Sequence, residues 1–518
     1  MGHSPRFTSD EQRFVQLQEE LARCQQLLES EKAQNGVLNH ELSNNKQTIS
    51  LLEKDLLNPR LAERSASRQN KSRQNEDLTY MIKHMGRLVH DEMGVGRFAG
   101  STTGIHFVLT VEQQCQKVLN LPTGFPESCF RLFLAQTSPI RQNWITDMSV
   151  GDKSEFLGSF SNSLSYYLDQ ADRFINEWEA YCPVLVRRQL MSDIRHTMET
   201  LHGSLNFQEL DPAMLLTLTV ILIINELDLD SGQQTSSHYR YLHMAGTLIN
   251  DIRARGDIKG LQALALCSLY YQLSGDCLGM TRINGIMVSL AQSLGLHRHS
   301  RRFKMKPCEI ELRKRLWWWI YSFDSVTSLI HGLPSLINDV DVDCDMPTDC
   351  HMDDLDAAEP SHPLPGERTA VFLFIQYVAL GKILSRIREM LYTTTQRRNG
   401  ATKINDLTMD LRMWNQNLKM TGIIFDIGTI PSPFLSNESA DDTERTVLWL
   451  QLLANIAMVL INRPGLSFDD TTVEFANCLR ACVASSTVNL LLLKEIQAPN
   501  WLRNPSLKGV QLSKLAWT

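Results

Sequence analysis

The sequence predicts an all-α protein: an N-terminal parallel coiled coil followed by a large multi-helix domain. Three observations predict it. From Phe14 to Leu56 apolar residues recur in heptads. Downstream, segment after segment spaces its apolar residues three and four apart. Few stretches alternate at period two, so little sheet is expected.

Residues 1–10 read as a disordered tail and 11–57 as the dimerisation segment. With Phe14 at position a, the a residues are Phe14, Leu21, Leu28, Asn35, Leu42, Ile49 and Leu56. The d residues are Leu17, Cys24, Glu31, Leu38, Asn45 and Leu52. The seam is mostly apolar, and no proline interrupts it before Pro59. Asn35 can pair with its mate across a parallel two-stranded coil, fixing register at some loss of stability. Glu41 at g attracts Lys46 at the partner's e. Glu31, Asn45 and Gly36 weaken the middle, the glycine by about 1 kcal/mol. The competing reading is one long amphipathic helix packed on its own domain, but two apolar positions per heptad make a narrower stripe than such packing needs.

Residues 58–77 form a polar linker carrying Arg60, Arg64, Arg68, Lys71 and Arg73. It is a solvated spacer, a phosphate contact or a nuclear localisation signal. From 78 to 518 the chain reads as helix after helix. The clear cases run over 211–227, 238–252, 260–273, 283–294, 309–330, 369–390, 443–461 and 475–493. Proline and glycine cluster between them, at 342–366 and 428–434.

Composition narrows the function. With 43% apolar and 21% charged residues the chain is that of a soluble globular protein. Its net charge of −7 excludes a whole-protein basic footprint for nucleic acid, so any DNA contact needs a local basic module. The longest apolar run, Met214 to Ile224, falls short of the roughly 20 residues that span a bilayer, so no membrane partner is expected. The N-terminus has no apolar signal-peptide core. The 11 cysteines lack any Cys-x-x-Cys and are expected to be reduced thiols.

The centre of the chain is the most specific part. Ile283, Met287, Leu290 and Leu294 form one helix stripe, and Gly295 follows as a plausible C-terminal glycine. In the next helix Leu312, Leu316, Trp319, Ile320, Phe323, Thr327 and Ile330 share a face. Three consecutive tryptophans, Trp317 to Trp319, cannot share one face, so this helix should be buried on most of its surface. Glu309–Arg313 and Glu311–Arg315 are i,i+4 pairs. Walled in by tryptophan, they would fix one arrangement instead of adding stability. The acidic run 338–359 is a candidate to face the basic loop His297 to Lys306.

This block resembles the signature of the fungal-specific transcription factor domain, the middle homology region of zinc-cluster transcription factors. The matching residues are Ala291, Gly295, Leu296, His297, Arg298, Glu311, Arg313, Arg315, Trp317, Trp318, Tyr321, Asp324, Gly332, Pro334, Asp339, Asp341 and Pro347. The sequence departs from the pattern at Ser325 and Leu333, where that family usually has arginine. Residues 94–107, GVGRFAGSTTGIHF, resemble the family's opening glycine–serine segment, and Asn462-Arg463-Pro464 its late His-Arg-Pro.

The resemblance implies a nuclear regulator of transcription for a fungal pathway. It implies dimerisation through the heptads and a helical regulatory domain over 78–518 that restrains activity or answers a small-molecule effector. An effector cavity among Trp317, Tyr321 and their neighbours is one expectation. In that family a six-cysteine zinc cluster binds DNA, but only Cys24 lies in the first 114 residues here. No cofactor is therefore expected in this chain, and zinc only if a cluster precedes Met1. The implied partners are a second copy or a zinc-cluster protein, with DNA reached indirectly. Alternatives are a cluster-less heterodimer subunit acting as a repressor and a cytosolic scaffold.

Other constellations fail on spacing. Asp341-x-Asp343-x-Asp345 opens like an EF-hand but has Met346 and Met352 where glycine and glutamate are required. Cys344, Cys350 and His351 fit no standard metal site. An isoprenoid-cyclase motif fails because Asp353-Asp354-Leu355-Asp356 is followed by Ala357. No catalytic elbow, phosphate loop or zinc-protease helix appears, so no enzyme is expected.

Overall fold

A computed structural model describes residues 86–90, 96–104, 106–108 and most of 160–496. Within the last span, 204–209, 227–240, 300–303, 356–366, 394–398, 430–441 and some isolated positions are excluded. The chain divides into two units, Met1–Asp77 and Leu78–Thr518. The expected dimerisation residues, Leu17, Leu21, Leu28, Asn35, Leu38, Leu42, Ile49, Leu52 and Leu56, lie outside the described residues, as does the linker.

Strands β1 (Gly86–His90) and β2 (Gly96–Gly100) form an antiparallel hairpin, with Gly86 opposite Gly100 and His90 opposite Gly96. The hairpin interrupts a stretch expected to read as helix after helix from about residue 78, within the small sheet content the sequence predicts. The reason is local: Gly86 leaves room for the Phe98 ring, whose atoms would stand 2.4 Å from a Cβ placed there.

The rest of the described fold is helical, as the spacing predicts. Helices α1 (Leu164–Trp178), α2 (Arg187–Gly203) and α3 (Pro212–Asn225) come first. Then follow α4 (Ile258–Ser274), α5 (Cys277–Ser293), α6 (Pro307–His331) and α7 (Val371–Leu391). Helices α8 (Gly400–Lys419), α9 (Asp442–Asn462) and α10 (Val473–Ile496) complete the series. Neighbours in sequence are mostly neighbours in space: α3 packs on α4, α4 on α5, α5 on α6 and α6 on α7. Helix α7 also packs on α9, and α9 on α10.

Local chemistry sets the ends. Asp211 caps α3 by accepting from the Ala213 amide at 3.1 Å, with Pro212 in the first turn. Asp276 caps α5 through the amides of Leu278 and Gly279. Helix α5 ends as Gly295 suggests. That residue takes φ +71°, and the amides of Gly295 and Leu296 return to Gln292 and Ala291, a Schellman closure. Helix α6 closes the same way on Gly332, with φ +66° and Leu333 bonded back to Ser328.

Three helices have little or no solvent face. In α3 every residue from Ala213 to Ile224 is buried, and in α4 nearly all are. Thr446–Ser467, spanning α9, is long and apolar enough to cross a membrane by length and composition, but it is 89% buried inside the core. Val473–Leu492, in α10, passes the same test with one face on α9 and Leu479, Val483 and Leu490 exposed.

Candidate functional site

Helix α6 is the axis of the site, and its three tryptophans point three ways. Trp317 lies 5.8 Å from the His297 ring. Trp318 donates its indole N–H to the Asp345 carbonyl at 2.7 Å and sits under the Lys382 ammonium at 4.3 Å. Trp319 donates to Ser268 Oγ at 3.0 Å and packs edge-on against Tyr181 at 5.2 Å. Each indole therefore ties the rod to a different element: the loop after α5, the acidic loop and α7, or α4 and the turn after α1. Tyr321 donates to Asp339 at 3.1 Å. Burial, and then the Asp339 charge, raises its pKa.

The signature charges are turned inward. Arg315 is fully buried. It bonds Glu311 at 3.0 Å, as the i,i+4 spacing predicts, and the Cys350 carbonyl at 2.7 Å. Glu311 in turn accepts from the Thr348 amide at 2.8 Å. The pair thus pins residues 348–350 to the rod, which is an organising role. Arg313 donates to the Leu294 carbonyl at 2.6 Å, placing a cation at the C-terminal end of α5. The acidic loop meets the start of the basic one: Asp343 accepts from the His299 amide at 2.9 Å, and Asp345 pairs with the His299 ring at 3.2 Å.

Asp324 is the most heavily bonded group of the set. Its carboxylate is buried and accepts from Asn284 at 2.7 Å, Ser328 at 3.3 Å, Ser335, and the amides of Leu336 and Ile337 at about 3.1 Å. It holds the Gly332–Leu333–Pro334 corner, where Ser328 Oγ also reaches the Pro334 carbonyl. Ser325, replacing the family's arginine, bonds the Tyr321 carbonyl one turn back at 3.0 Å.

The three stretches that resemble the family meet at this corner. Thr102 Oγ1 donates to the Leu329 carbonyl at 2.7 Å. Gly100 and Gly332 touch backbone to backbone: a Cβ on Gly100 would lie 1.9 Å from the Gly332 oxygen. Arg463, buried at the end of α9, donates to the carbonyls of Ser101 at 2.7 Å and Thr103 at 3.5 Å. Its guanidinium lies 5.6 Å from both the Phe107 and Tyr392 rings.

Asn284, Ser335, Thr102, Ser268 and Tyr181 were not singled out from sequence. Pairing across elements has no period to read, and only Thr102 fell within a flagged motif. Among the described residues no group of three metal-ligating side chains is gathered. Cys350 faces Arg315 at 3.8 Å, while His351 is exposed. Burial pushes the Cys344 thiol up to about 12.

The arrangement is an enclosed helical scaffold built around a tryptophan rod. Residues 171–416 match the model of the fungal specific transcription factor domain. Named relatives agree. The chain is 30% identical over 159 residues to the transcriptional activator protein acu-15 of Neurospora crassa, covering 30% of this chain and 17% of that protein. It is 23% identical over 411 residues to an uncharacterized transcriptional regulatory protein of Schizosaccharomyces pombe, covering 77% and 47%. It is 25% identical over 317 residues to the probable transcription factor FUP6 of Fusarium proliferatum, covering 55% and 43%. The chain spans under half the length of these relatives. These relatives are named as a fungal activator, a regulatory protein and a probable factor of transcription.

Proposed function

We propose that this protein regulates transcription of a fungal pathway in the nucleus, dimerising through residues 11–57 and acting through the helical domain. DNA is contacted by a zinc cluster preceding Met1 or by one on a partner. The supporting observation is the inward use of the signature. Arg315, Asp324 and Arg463 are spent on loop carbonyls and amides, which suits a domain that holds one shape and passes it on. Chromatin immunoprecipitation of the tagged full chain tests the reading, with enrichment at discrete promoters expected. Steady exclusion from the nucleus would favour a cytosolic scaffold instead.

Dimerisation has its own test. Replacing Leu21, Leu28, Leu38 and Leu42 with alanine in the full chain should halve the mass seen by sedimentation. An unchanged mass rejects the heptad seam.

A second reading is that DNA binding belongs wholly to a partner. The chain would then be a cluster-less subunit that pairs with a zinc-cluster protein and removes one DNA-binding arm. Losing one half-site's contacts weakens specific binding by several kcal/mol, so such a subunit represses. Co-purification of a zinc-cluster partner, with reporter output rising when the chain is deleted, would support it. A small hydrophobic effector near Trp317 and Tyr321 belongs to the same proposal. Titration calorimetry with pathway metabolites that gives no heat would reject it.

A further inference from the structure

We infer that the outer face of α10 is a self-association surface, on which α10 of a second copy of this chain docks antiparallel to the first. The contact lies within the helical domain and goes beyond the heptad pairing proposed above. Helix α10 has the composition of a core helix without the burial of one. Thr446–Ser467 is 89% buried and Val473–Leu492 only 33%. The buried side of α10 is accounted for: Cys482 reaches the Val459 carbonyl of α9, and Cys478 lies beside Gly465 in the turn that follows it. The outer side is not. Of the large apolar side chains exposed among the described residues, four stand on this one helix: Val473, Leu479, Val483 and Leu490. Single exposed apolar residues are ordinary, but a run of them along one helix marks a surface that another surface covers.

The spacing on that face selects a second copy as the occupant. Ala476, Leu479, Val483, Ser486 and Leu490 are all exposed and fall within about 80° of the helix circumference. They recur three and four apart, the seam of a paired helix. The seam fits itself about a two-fold axis passing between Ala484 and Ser485. Leu479 then opposes the partner's Leu490, Val483 opposes the partner's Ser486, and each contact occurs twice. The charges agree with this direction. Arg480 is exposed and flanks the seam. In a parallel pair it would face its own copy, and Ser486 would face Ser486, so like charges would be set side by side. In the antiparallel pair the two Arg480 side chains are offset by about 13 Å along the axis, and each lies near the partner's Thr487. Glu474 lies on the opposite side of the helix. From Ala476 to Leu490 the seam is about 21 Å long and one helix wide, well below the roughly 800 Å² a side of a standard interface. The association is therefore weak and depends on concentration.

Photo-crosslinking of the full chain tests the contact, in a background where Leu21→Ala, Leu28→Ala, Leu38→Ala and Leu42→Ala remove the heptad seam. Benzoylphenylalanine replaces Ser486, and copies of light and heavy isotope are mixed before irradiation. Light-to-heavy adducts on residues 479–487, around the partner's Val483, are expected. Adducts confined to one copy, such as onto residues 497–518, overturn the proposal, because the chain then covers its own helix. Adducts onto a second copy outside α10, or the absence of any adduct, overturn it too. Sedimentation of the same background without the photo-label gives an independent readout. Its mass should rise with concentration toward the dimer. Val483→Asp, and separately Leu490→Asp, should abolish that rise and leave the melting temperature unchanged, since both positions are exposed. A mass that stays that of the monomer at every concentration overturns the proposal, as does a rise that survives both substitutions.

Discussion

Replacing Asp324 should separate the need for an acceptor from the need for a charge. In Asp324→Ala the amides of Leu336 and Ile337 lose their acceptor at about 3.1 Å. Each orphaned donor costs about 1–3 kcal/mol, so these two amides alone cost about 2–6 kcal/mol. Asp324→Asn is milder for a structural reason. If its amide nitrogen takes the place of Oδ1, the remaining oxygen still serves Leu336 and Ile337. The Asn284 amide can then flip to offer its own oxygen, which is buried and unpartnered in the native arrangement. Ser328 can turn its hydroxyl wholly to the Pro334 carbonyl. What remains is the weakening of three charge-assisted bonds, from Ser335, Leu336 and Ile337, about 1–3 kcal/mol. The exchange Asn284→Asp with Asp324→Asn should be worse than Asp324→Asn alone. It moves a buried charge to a position with one donor in place of several. Urea denaturation orders the variants, and exchange at amides 336 and 337 localises the effect. An Asn variant as damaged as the Ala variant, or a swap that restores stability, would refute the reasoning.

Further outcomes follow from neighbouring contacts. Arg315→Met should cost about 3–5 kcal/mol, since it strands the Glu311 carboxylate in a buried site. Adding Glu311→Met should cost less than the two single changes summed, by about 1–3 kcal/mol, and additive urea midpoints would contradict the pairing. Gly100→Ala should lower the melting temperature at least as much as Gly332→Ala: it lacks a positive φ but meets the Gly332 backbone oxygen at 1.9 Å. Gly422→Ala, at φ +90° with nothing within 4 Å, should show only the conformational penalty of about 1–2 kcal/mol. His297 has a lowered pKa, mainly from burial and then from Arg298, opposed by Asp343 and Asp341. The unfolded chain therefore binds that proton more tightly. The stability this residue contributes is present above pH 6.5, the ordinary histidine value, and is lost as pH falls through the lower folded value. His297→Gln should flatten the melting-temperature profile between pH 5 and 7, and a wild-type slope would contradict it.

The helices were legible wherever apolar residues outnumber polar ones. The segment read as 309–330 is Pro307–His331, and that read as 260–273 is Ile258–Ser274. Helices α2 and α8 were not among the clear cases, because their many charged and amide residues dilute the apolar stripe. Helix α1 was readable by the same rule, since Tyr167, Ala171, Phe174, Ile175 and Trp178 fall on one face. The hairpin gives almost no signal: it is five residues a strand, glycine-bounded, and leaves Leu88 and Phe98 exposed. At the site, the divergence of three tryptophans followed from helix geometry alone. The partners they meet did not, because Ser268, Asp345 and Lys382 come from elements whose docking only the fold defines.

The polar groups along α6 explain why such an apolar core takes one arrangement. Helices α3 and α4 are buried on nearly every side, so hydrophobic burial alone would reward many rotations and slides about equally. Directional bonds break that degeneracy. Trp319 to Ser268 fixes α6 against α4, and Asn284 to Asp324 fixes it against α5. Arg313 to Leu294 sets the axial position of the same pair, and Tyr321 and Trp318 place the acidic loop. Breaking any one of them leaves a buried donor or acceptor unpaired, so a slid register is penalised even where its apolar area is unchanged. Arg463 extends the same logic to residues 101–103, tying the end of α9 to the corner that Asp324 holds. A slide of α6 past α9 would therefore break the Thr102–Leu329 or the Arg463–Ser101 bond.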